Sequence, residues 1–302
     1  MTFILEDRTG YKSGYASLIG KPNVGKSTLL NRLVTRKIAA ISSKPQTTRN
    51  RITGVVHFPE GQIILVDTPG IHKAVSKLNR LMVKASMSTF NDVDLILFVI
   101  DAKQGFCETD GFVLEVLERS KSPKMLIINK IDLIPKPVLL GMIDEMNRKS
   151  DFKEIVPVSA LHEDGLDLLV RSIAGHLPEG PQFFPEEMVT DCSEEFLMGE
   201  IVREKVLNRT RMEIPYAVAV VVEKVVERAN GTLVIDATLY IEKTSQKKIL
   251  IGEKGSMLKK IGQDAREEIA KRFASKVYLN LFIKVKANWR ENLHTLKEFG
   301  YS

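Results

Sequence analysis

The 302-residue sequence predicts an α/β domain, a mainly parallel sheet with helices on both faces, followed by a smaller α+β domain. Three observations carry this prediction. Through the first half, strand-length apolar runs alternate with stretches of helical spacing, the pattern of parallel strands joined by crossover helices. At HLPEGPQFFPEE (176–187) the rhythm breaks in a cluster of prolines and glycines. Beyond that point, cleanly alternating strands and a glycine loop between two helical segments replace it.

The strand candidates of the first part are YASLIG (15–20), RITGVVHF (51–58), QIILVD (62–67), LILFVID (95–101), KMLIIN (124–129) and EIVPVS (154–159). Their near-continuous Val, Ile and Leu implies burial on both faces. KSTLLNRLVTRK and DGFVLEVLERS carry the intervening helical spacing. The second part opens with a helix over 194–209. The strands AVAVVVEKVVE and TLVIDATLYIEK follow, joined by a turn at ANG. In the second strand Leu233, Ile235, Ala237, Leu239 and Ile241 share one face, so the other face is wet. A short helix ends at Ile251, before the glycine loop. A longer helix aligns Leu258, Ile261, Ala265, Ile269 and Phe273, and VYLNLFIKV (277–285) forms the last strand. The expected division is 1–177, a linker over 178–192, and 193–302.

With 44% hydrophobic and 27% charged residues, the composition is that of a soluble protein with sizeable cores. Runs such as LILFVI and AVAVVV are far too short to span a membrane, and the N-terminal stretch lacks a signal-type apolar segment. Cys107 and Cys192 fit unpaired thiols in a reducing cytosol. The net charge of +6 is unevenly spread. Residues 243–290 hold thirteen Lys/Arg against four Asp/Glu, so this stretch carries +9 and the rest carries −3. That fits either a polyanion-binding C-terminal part or a solvated lysine-rich helix face.

Gly20, Lys21, Pro22, Asn23, Val24, Gly25, Lys26, Ser27 and Thr28 read GKPNVGKST, which contains the pattern GxxxxGK[ST]. The pattern arises by chance about once in a hundred chains of this length, and here a strand ends at Gly20 and a helix starts at Lys26. Such a loop turns backbone N–H groups toward phosphates, extends Lys26 to the β- and γ-phosphates, and offers Ser27 to Mg²⁺. Three later stretches select guanine. In Asp67, Thr68, Pro69 and Gly70, the acid can hold the metal through water and the glycine N–H can sense a γ-phosphate. In Asn129, Lys130 and Asp132, the last carboxylate matches the N1–H and N2–H₂ donors of guanine, a pair adenine lacks. Ser159, Ala160 and Leu161 can bring a backbone N–H to guanine O6. Each follows a strand end, in the order a GTPase requires.

Between the first two motifs, KPQTTRNR (44–51) supplies Thr48 as the residue completing Mg²⁺ coordination, with Thr47 as its competitor. The catalytic set is therefore Lys26, Thr48, Asp67 and Gly70. Ile71 stands where Ras-like GTPases carry a water-orienting glutamine. This predicts slow intrinsic hydrolysis or water held by another group. His72 and Lys73 read as ordinary switch residues.

Gly252 and Gly255 form a GxxG loop between two helical segments, within the basic region and ahead of Lys259 and Lys260. This is the arrangement in which KH domains clamp a nucleic-acid backbone. A helix–helix turn needing two glycines is the alternative. The expected RNA contacts are Ile251, Gly252, Glu253, Lys254, Gly255, Ser256, Lys259, Lys260, Trp289 and Arg290, with Tyr278, Phe282 and Trp289 as base-stacking candidates. Phe282 also suits a core position.

Taken together, GKPNVGKST, KPQTTR, DTPGI, NKID, SAL, IGEKG and NWR closely resemble the bacterial Era GTPase family, over nearly the whole chain. The resemblance implies a type II KH domain, binding to the 3′ end of 16S ribosomal RNA, and assistance in small-subunit assembly. It further implies peripheral association with the inner membrane in some cells, a hydrophobic residue at Ile71 in place of the catalytic glutamine, and K⁺ near Asn23. Mg²⁺ as cofactor, a cytoplasmic location and a monomer complete the expectation. Two other classes stay open at this point: a metabolic or transport P-loop enzyme, and a membrane-surface GTPase for which RNA is incidental.

Overall fold

The computed structural model describes residues 10–71, 76–88 and 92–301; His72 and Lys73 lie outside them. The described residues divide into two compact units. One holds 10–39, 48–71, 82–88 and 92–191; the other holds 40–47, 76–81 and 192–301.

The first unit is a six-stranded sheet in which β1 (Lys12–Ile19), β3 (Gly61–Asp67), β4 (Leu95–Asp101), β5 (Lys124–Asn129) and β6 (Ile155–Val158) are parallel. β2 (Ile52–Phe58) pairs antiparallel with β3. The strand order is β2-β3-β1-β4-β5-β6. The chain leaves β1 in one direction to build β2 and β3, and later in the other to build β4 to β6. The C-terminal end of β1 is thus a switch point, where open α/β sheets form a crevice. The strands follow the sequence pattern because most of their positions are buried, β3 and β4 along their full length, while β6 at the edge is buried at alternate residues. The helices include α1 (Lys26–Leu33), α3 (Glu108–Leu117), α4 (Lys136–Lys149) and α5 (Leu166–His176), while α2 (Lys77–Ser88) runs through both units. The first of them is shorter than its sequence pattern, stopping at Leu33, with the Val34 N–H closing on Leu30.

The proline-rich stretch is tied into this unit. The Ser13 N–H donates to the Pro178 carbonyl and the Val55 N–H to Val189, while the Gln62 side-chain oxygen accepts from both Phe183 and Phe184. Part of the outer side of β2, an otherwise open edge, is thereby paired.

The second unit opens with α6 (Glu194–Arg209), capped by the Ser193 side chain on the Phe196 N–H. A short α7 (Ile214–Ala217) occupies the start of what the apolar run predicts as strand, so β7 begins at Ala219 and ends at Glu227. Pro215 in the first turn favours that helical start. β8 (Thr232–Ile241) pairs antiparallel with β7 and parallel with β9 (Lys276–Val285). A parallel pair requires a crossover, made here by α8 (Thr244–Ile251) and α9 (Ser256–Arg272). Ile235, Leu239, Ile261, Ala265 and Ile269 meet Val202 and Met198 in one core. The order α-α-β-β-α-α-β is followed by α10 (Leu293–Glu298).

Trp289 corrects one expectation. It is fully buried, donating its ring N–H to the Ala217 carbonyl at 2.9 Å and lying against Phe299 and Tyr301. An aromatic ring enclosed on all sides cannot stack on a base; Trp289 is a core residue. Replacing it by alanine is expected to destabilise the second unit by about 3–5 kcal/mol, read by urea unfolding followed by far-UV circular dichroism.

Candidate functional site

The glycine loop leaves β1 at the switch point and ends as the first turn of α1. At Gly25 the backbone has φ 102° and an added Cβ would lie 2.2 Å from the Asn129 side-chain nitrogen, so only glycine fits. Lys26 is buried and its ammonium donates to the carbonyls of Gly20 (2.9 Å) and Lys21 (3.1 Å). Burial pushes its pKa down to about 8, opposed in part by Asp67. Lys21 is committed elsewhere, to Asp110 at 2.7 Å and Cys107 at 3.1 Å.

Beside Lys26, three oxygen-bearing side chains converge. Ser27 Oγ and Thr48 Oγ1 lie 2.7 Å apart, and both donate to Asp67 Oδ2, at 2.8 and 3.2 Å. Asp67 is wholly buried. Desolvation raises its pKa, against the lowering influence of Lys26, Ser27, Thr48 and the Thr68 N–H. Its other oxygen, Oδ1, has no hydrogen-bond partner despite full burial. An all-oxygen cluster around an orphaned carboxylate oxygen fits a hard divalent cation such as Mg²⁺, which takes one or two protein ligands and completes its shell with water and phosphate. Thr47, the competitor of Thr48, instead donates its hydroxyl to the Lys44 carbonyl.

Thr68 donates to the Leu18 carbonyl, and the N–H of Ile71 reaches Gly20 at 3.3 Å, which brings Pro69 and Gly70 to the glycine loop. The Ile71 side chain is wholly buried in the apolar core with Ile19 and Phe98.

At the other end of the crevice, Asn129 joins three motifs. Its Nδ2 donates to the Val24 carbonyl at 2.8 Å, and its Oδ1 accepts the N–H of Lys130 (2.8 Å) and of Ala160 (3.0 Å). Lys130, with φ 66°, donates to the Asn23 carbonyl and to Asp101 Oδ2. Asp132 Oδ1 accepts from Ser159 Oγ at 2.5 Å. Leu161 stands largely exposed. Asp101 was not singled out from the sequence; its signal is an acid at the end of the strand beside Asn129.

In the second unit the GxxG loop is a tight 3₁₀ turn between α8 and α9. Gly252 has φ 73°, and an added Cβ would meet Met257 at 2.7 Å. Glu253, Lys254, Lys259 and Lys260 are exposed, while Ile251 is partly buried. Gly255 (φ 81°) and Ser256 begin a 17-residue helix whose first N–H groups form an anion-favouring end. Arg290 is paired with Glu242 at 2.5 Å, and Trp289, being core, does not join the loop. Tyr278 and Phe282 are exposed on the sheet face opposite Val277, which is in the core, and the partly buried Leu279, Leu281 and Ile283, which pack against it.

A family model described as 50S ribosome-binding GTPase matches residues 15–130, and a KH domain model matches 213–290. The GTPase Era of Geotalea uraniireducens (strain Rf4) is 49% identical over 291 residues, covering 96% of this chain and 98% of that protein. A solved structure of Era in complex with MgGDPNP and nucleotides 1506–1542 of 16S ribosomal RNA matches with a TM-score of 0.94 and 41% identity. It covers 97% of this chain and 99% of that one. Aquifex aeolicus Era, as a variant bound to GDP.AlF4-, gives a TM-score of 0.93 at 41% identity, with 96% and 99% covered.

Were Lys26 to hold a phosphate, its depressed pKa would make that capture pH-dependent. Below about pH 8 the empty site already holds the proton. Above it, an arriving phosphate raises the pKa and binding must take up a proton. GDP affinity, measured calorimetrically at pH 7, 8 and 9, is expected to be nearly flat to pH 8. It should then fall by up to about tenfold per pH unit, and Lys26→Met should abolish that slope.

Proposed function

The chain belongs to the Era GTPase family, and from that membership we propose a GTP-hydrolysing switch whose KH domain binds the 3′ end of 16S ribosomal RNA and assists small-subunit assembly. The observation that carries the nucleotide half is the Asn129 carboxamide, which brings the phosphate loop, the NKID strand end and the SAL loop into one crevice. In this reading the N–H groups of the 20–28 loop and the Lys26 ammonium bind the β- and γ-phosphates. Asp132 reads guanine N1–H and N2–H₂, with Ser159 orienting its carboxylate, and the Ala160 region meets O6. Ser27, Thr48 and Asp67 would hold Mg²⁺, which supplies charge neutralisation of the phosphate oxygens when bound. The Gly70 N–H senses the γ-phosphate. Ile71 offers no polar atom to a water, which supports slow intrinsic hydrolysis. A K⁺ ion near Asn23 is a further part of the proposal.

The RNA half rests on the GxxG turn, its exposed lysines and the free helix end behind it, the chemistry that receives a sugar–phosphate backbone. The proposed domains are 1–177 and 193–302; the 178–192 stretch, expected as a linker, is instead hydrogen-bonded along β1, β2 and β3 and packs with the first unit up to 191. The reading is completed by a cytoplasmic monomer with peripheral contact at the inner membrane. Among the described residues no helix is long and apolar enough to cross a membrane.

Asp132→Asn should lower GTP affinity by about a hundredfold or more and favour XTP, because the guanine N2 donor loses its acceptor. Competition binding with GTP, XTP and ATP checks this, and unchanged GTP preference would overturn the assignment. Changing Gly252 and Gly255 together to Asp should weaken binding of 16S 3′-end RNA by about tenfold or more, with GTP affinity held within about twofold. An equal loss of both would overturn the two-site division.

A further inference from the structure

Within the second unit, α6 carries charged side chains where its neighbours are apolar. Arg203 and Glu204 are both buried, among Met198, Ile201, Val202, Val206 and Leu207. Buried charges of this kind do not earn their place by stability alone, since an apolar replacement of similar volume is often equal or better. What they hold is informative. Glu200 grips the Arg203 guanidinium with both oxygens, at 2.6 and 2.5 Å. The same guanidinium donates to the backbone carbonyl of Thr47, 156 residues away. One turn-edge further, Glu204 Oε2 accepts the backbone N–H of Ile41 at 2.8 Å. Glu204 is itself steadied by Lys205, which also pairs with Glu268 on α9.

Both contacts land on one short loop. Ile41 and Thr47 are its ends, and inside it Thr47 Oγ1 donates to Lys44 and the Lys44 N–H donates to Ser42 Oγ. The next residue is Thr48. A peptide unit is planar, so the Thr47 carbonyl oxygen and the Cα of Thr48 lie in one rigid plane. Holding that oxygen constrains the direction in which Thr48 leaves the loop, and hence where its hydroxyl can stand relative to Ser27 and Asp67. The loop's remaining freedom is small, because its other end is fixed at Ile41.

Resting on the reading of Thr48 as a metal ligand, we propose that Arg203 and Glu204 are positioning residues for GTP hydrolysis, clamping the 41–47 loop by its two ends so that Thr48 is presented to Mg²⁺. Neither residue touches nucleotide; each acts through Thr48. The clamp itself, α6 and the 41–47 loop, lies within the second unit. It also connects, through Lys205 and Glu268, to the helix that starts at the GxxG loop.

The test uses the full-length protein. Steady-state GTP hydrolysis is measured against Mg²⁺ concentration, and affinities for GDP and a non-hydrolysable GTP analogue are measured calorimetrically. Arg203→Met and Glu204→Ala should each raise the Mg²⁺ concentration for half-maximal hydrolysis by about fivefold or more. They should weaken the analogue relative to GDP by a similar factor, with GDP affinity unchanged. Arg203→Lys, which can return one N–H to the Thr47 carbonyl, should recover part of the loss. A merely structural role would lower the melting temperature without moving the Mg²⁺ requirement or the analogue-to-GDP ratio, and that result overturns the clamp. Thr48→Ala separates the two levels. If it shifts the Mg²⁺ requirement while both α6 variants match the parent, the clamp alone is wrong. If it shifts nothing, the metal-ligand reading fails and the clamp falls with it. Should Arg203→Met fail to fold, Glu204→Ala and Arg203→Lys carry the same comparison.

Discussion

The nucleotide crevice depends on one buried carboxamide. Asn129 ends β5 and uses its side chain three times, giving a hydrogen to the Val24 carbonyl and taking those of Lys130 and Ala160. Three segments that are distant in sequence are held to one another by these bonds, each inside the protein where an unpaired polar atom costs about 1–3 kcal/mol. The packing is tight enough that Gly25 cannot carry even a methyl group beside it. An aspartate here would lose the donor to Val24 and add a charge; a leucine would orphan three backbone groups. The residue thus acts as a hub whose removal disturbs the whole crevice at once.

Around that hub the electrostatics are unfinished in a way that a bound anion and cation would complete. Burial disfavours the charged forms of both Lys26 and Asp67, lowering one pKa and raising the other. The ammonium rests on carbonyl oxygens of its own loop, and one oxygen of Asp67 has no partner. Such a site is costly when empty, and a nucleotide phosphate with its metal would supply the charges it lacks. The GxxG turn follows a different logic. Its lysines are exposed and its affinity would come from a glycine backbone that lets a polyanion approach, assisted by a helix end.

Burial also sorted the aromatic residues of the second unit. Tyr278 and Phe282 remain on the open face of the sheet, and Trp289 is sealed beneath the C-terminal segment by Phe299 and Tyr301. From sequence alone all three were stacking candidates and Phe282 was the one that also suited a core, because an aromatic beside lysines looks the same whether its ring faces solvent or a core. Only the path of the chain after β9 decides between them.

The sequence by itself determined most of the elements and marked the candidate nucleotide residues. Strand and helix periodicities are local properties of side-chain spacing, and the glycine, DTPG, NKID and SAL stretches each carry chemistry readable within a few residues. Membership of the Era family was legible for the same reason. The tertiary structure decided what depends on residues meeting across long separations. It placed the 41–47 loop with α6, through Arg203 and Glu204, although no local pattern marks those two among the helix's other charges. It supplied Asp101 as the partner of Lys130, turned Ile71 into the core, and buried Trp289. A motif fixes the chemistry a residue can offer. Where that chemistry points is set by which distant surfaces exclude water around it, and that is a property of the folded chain.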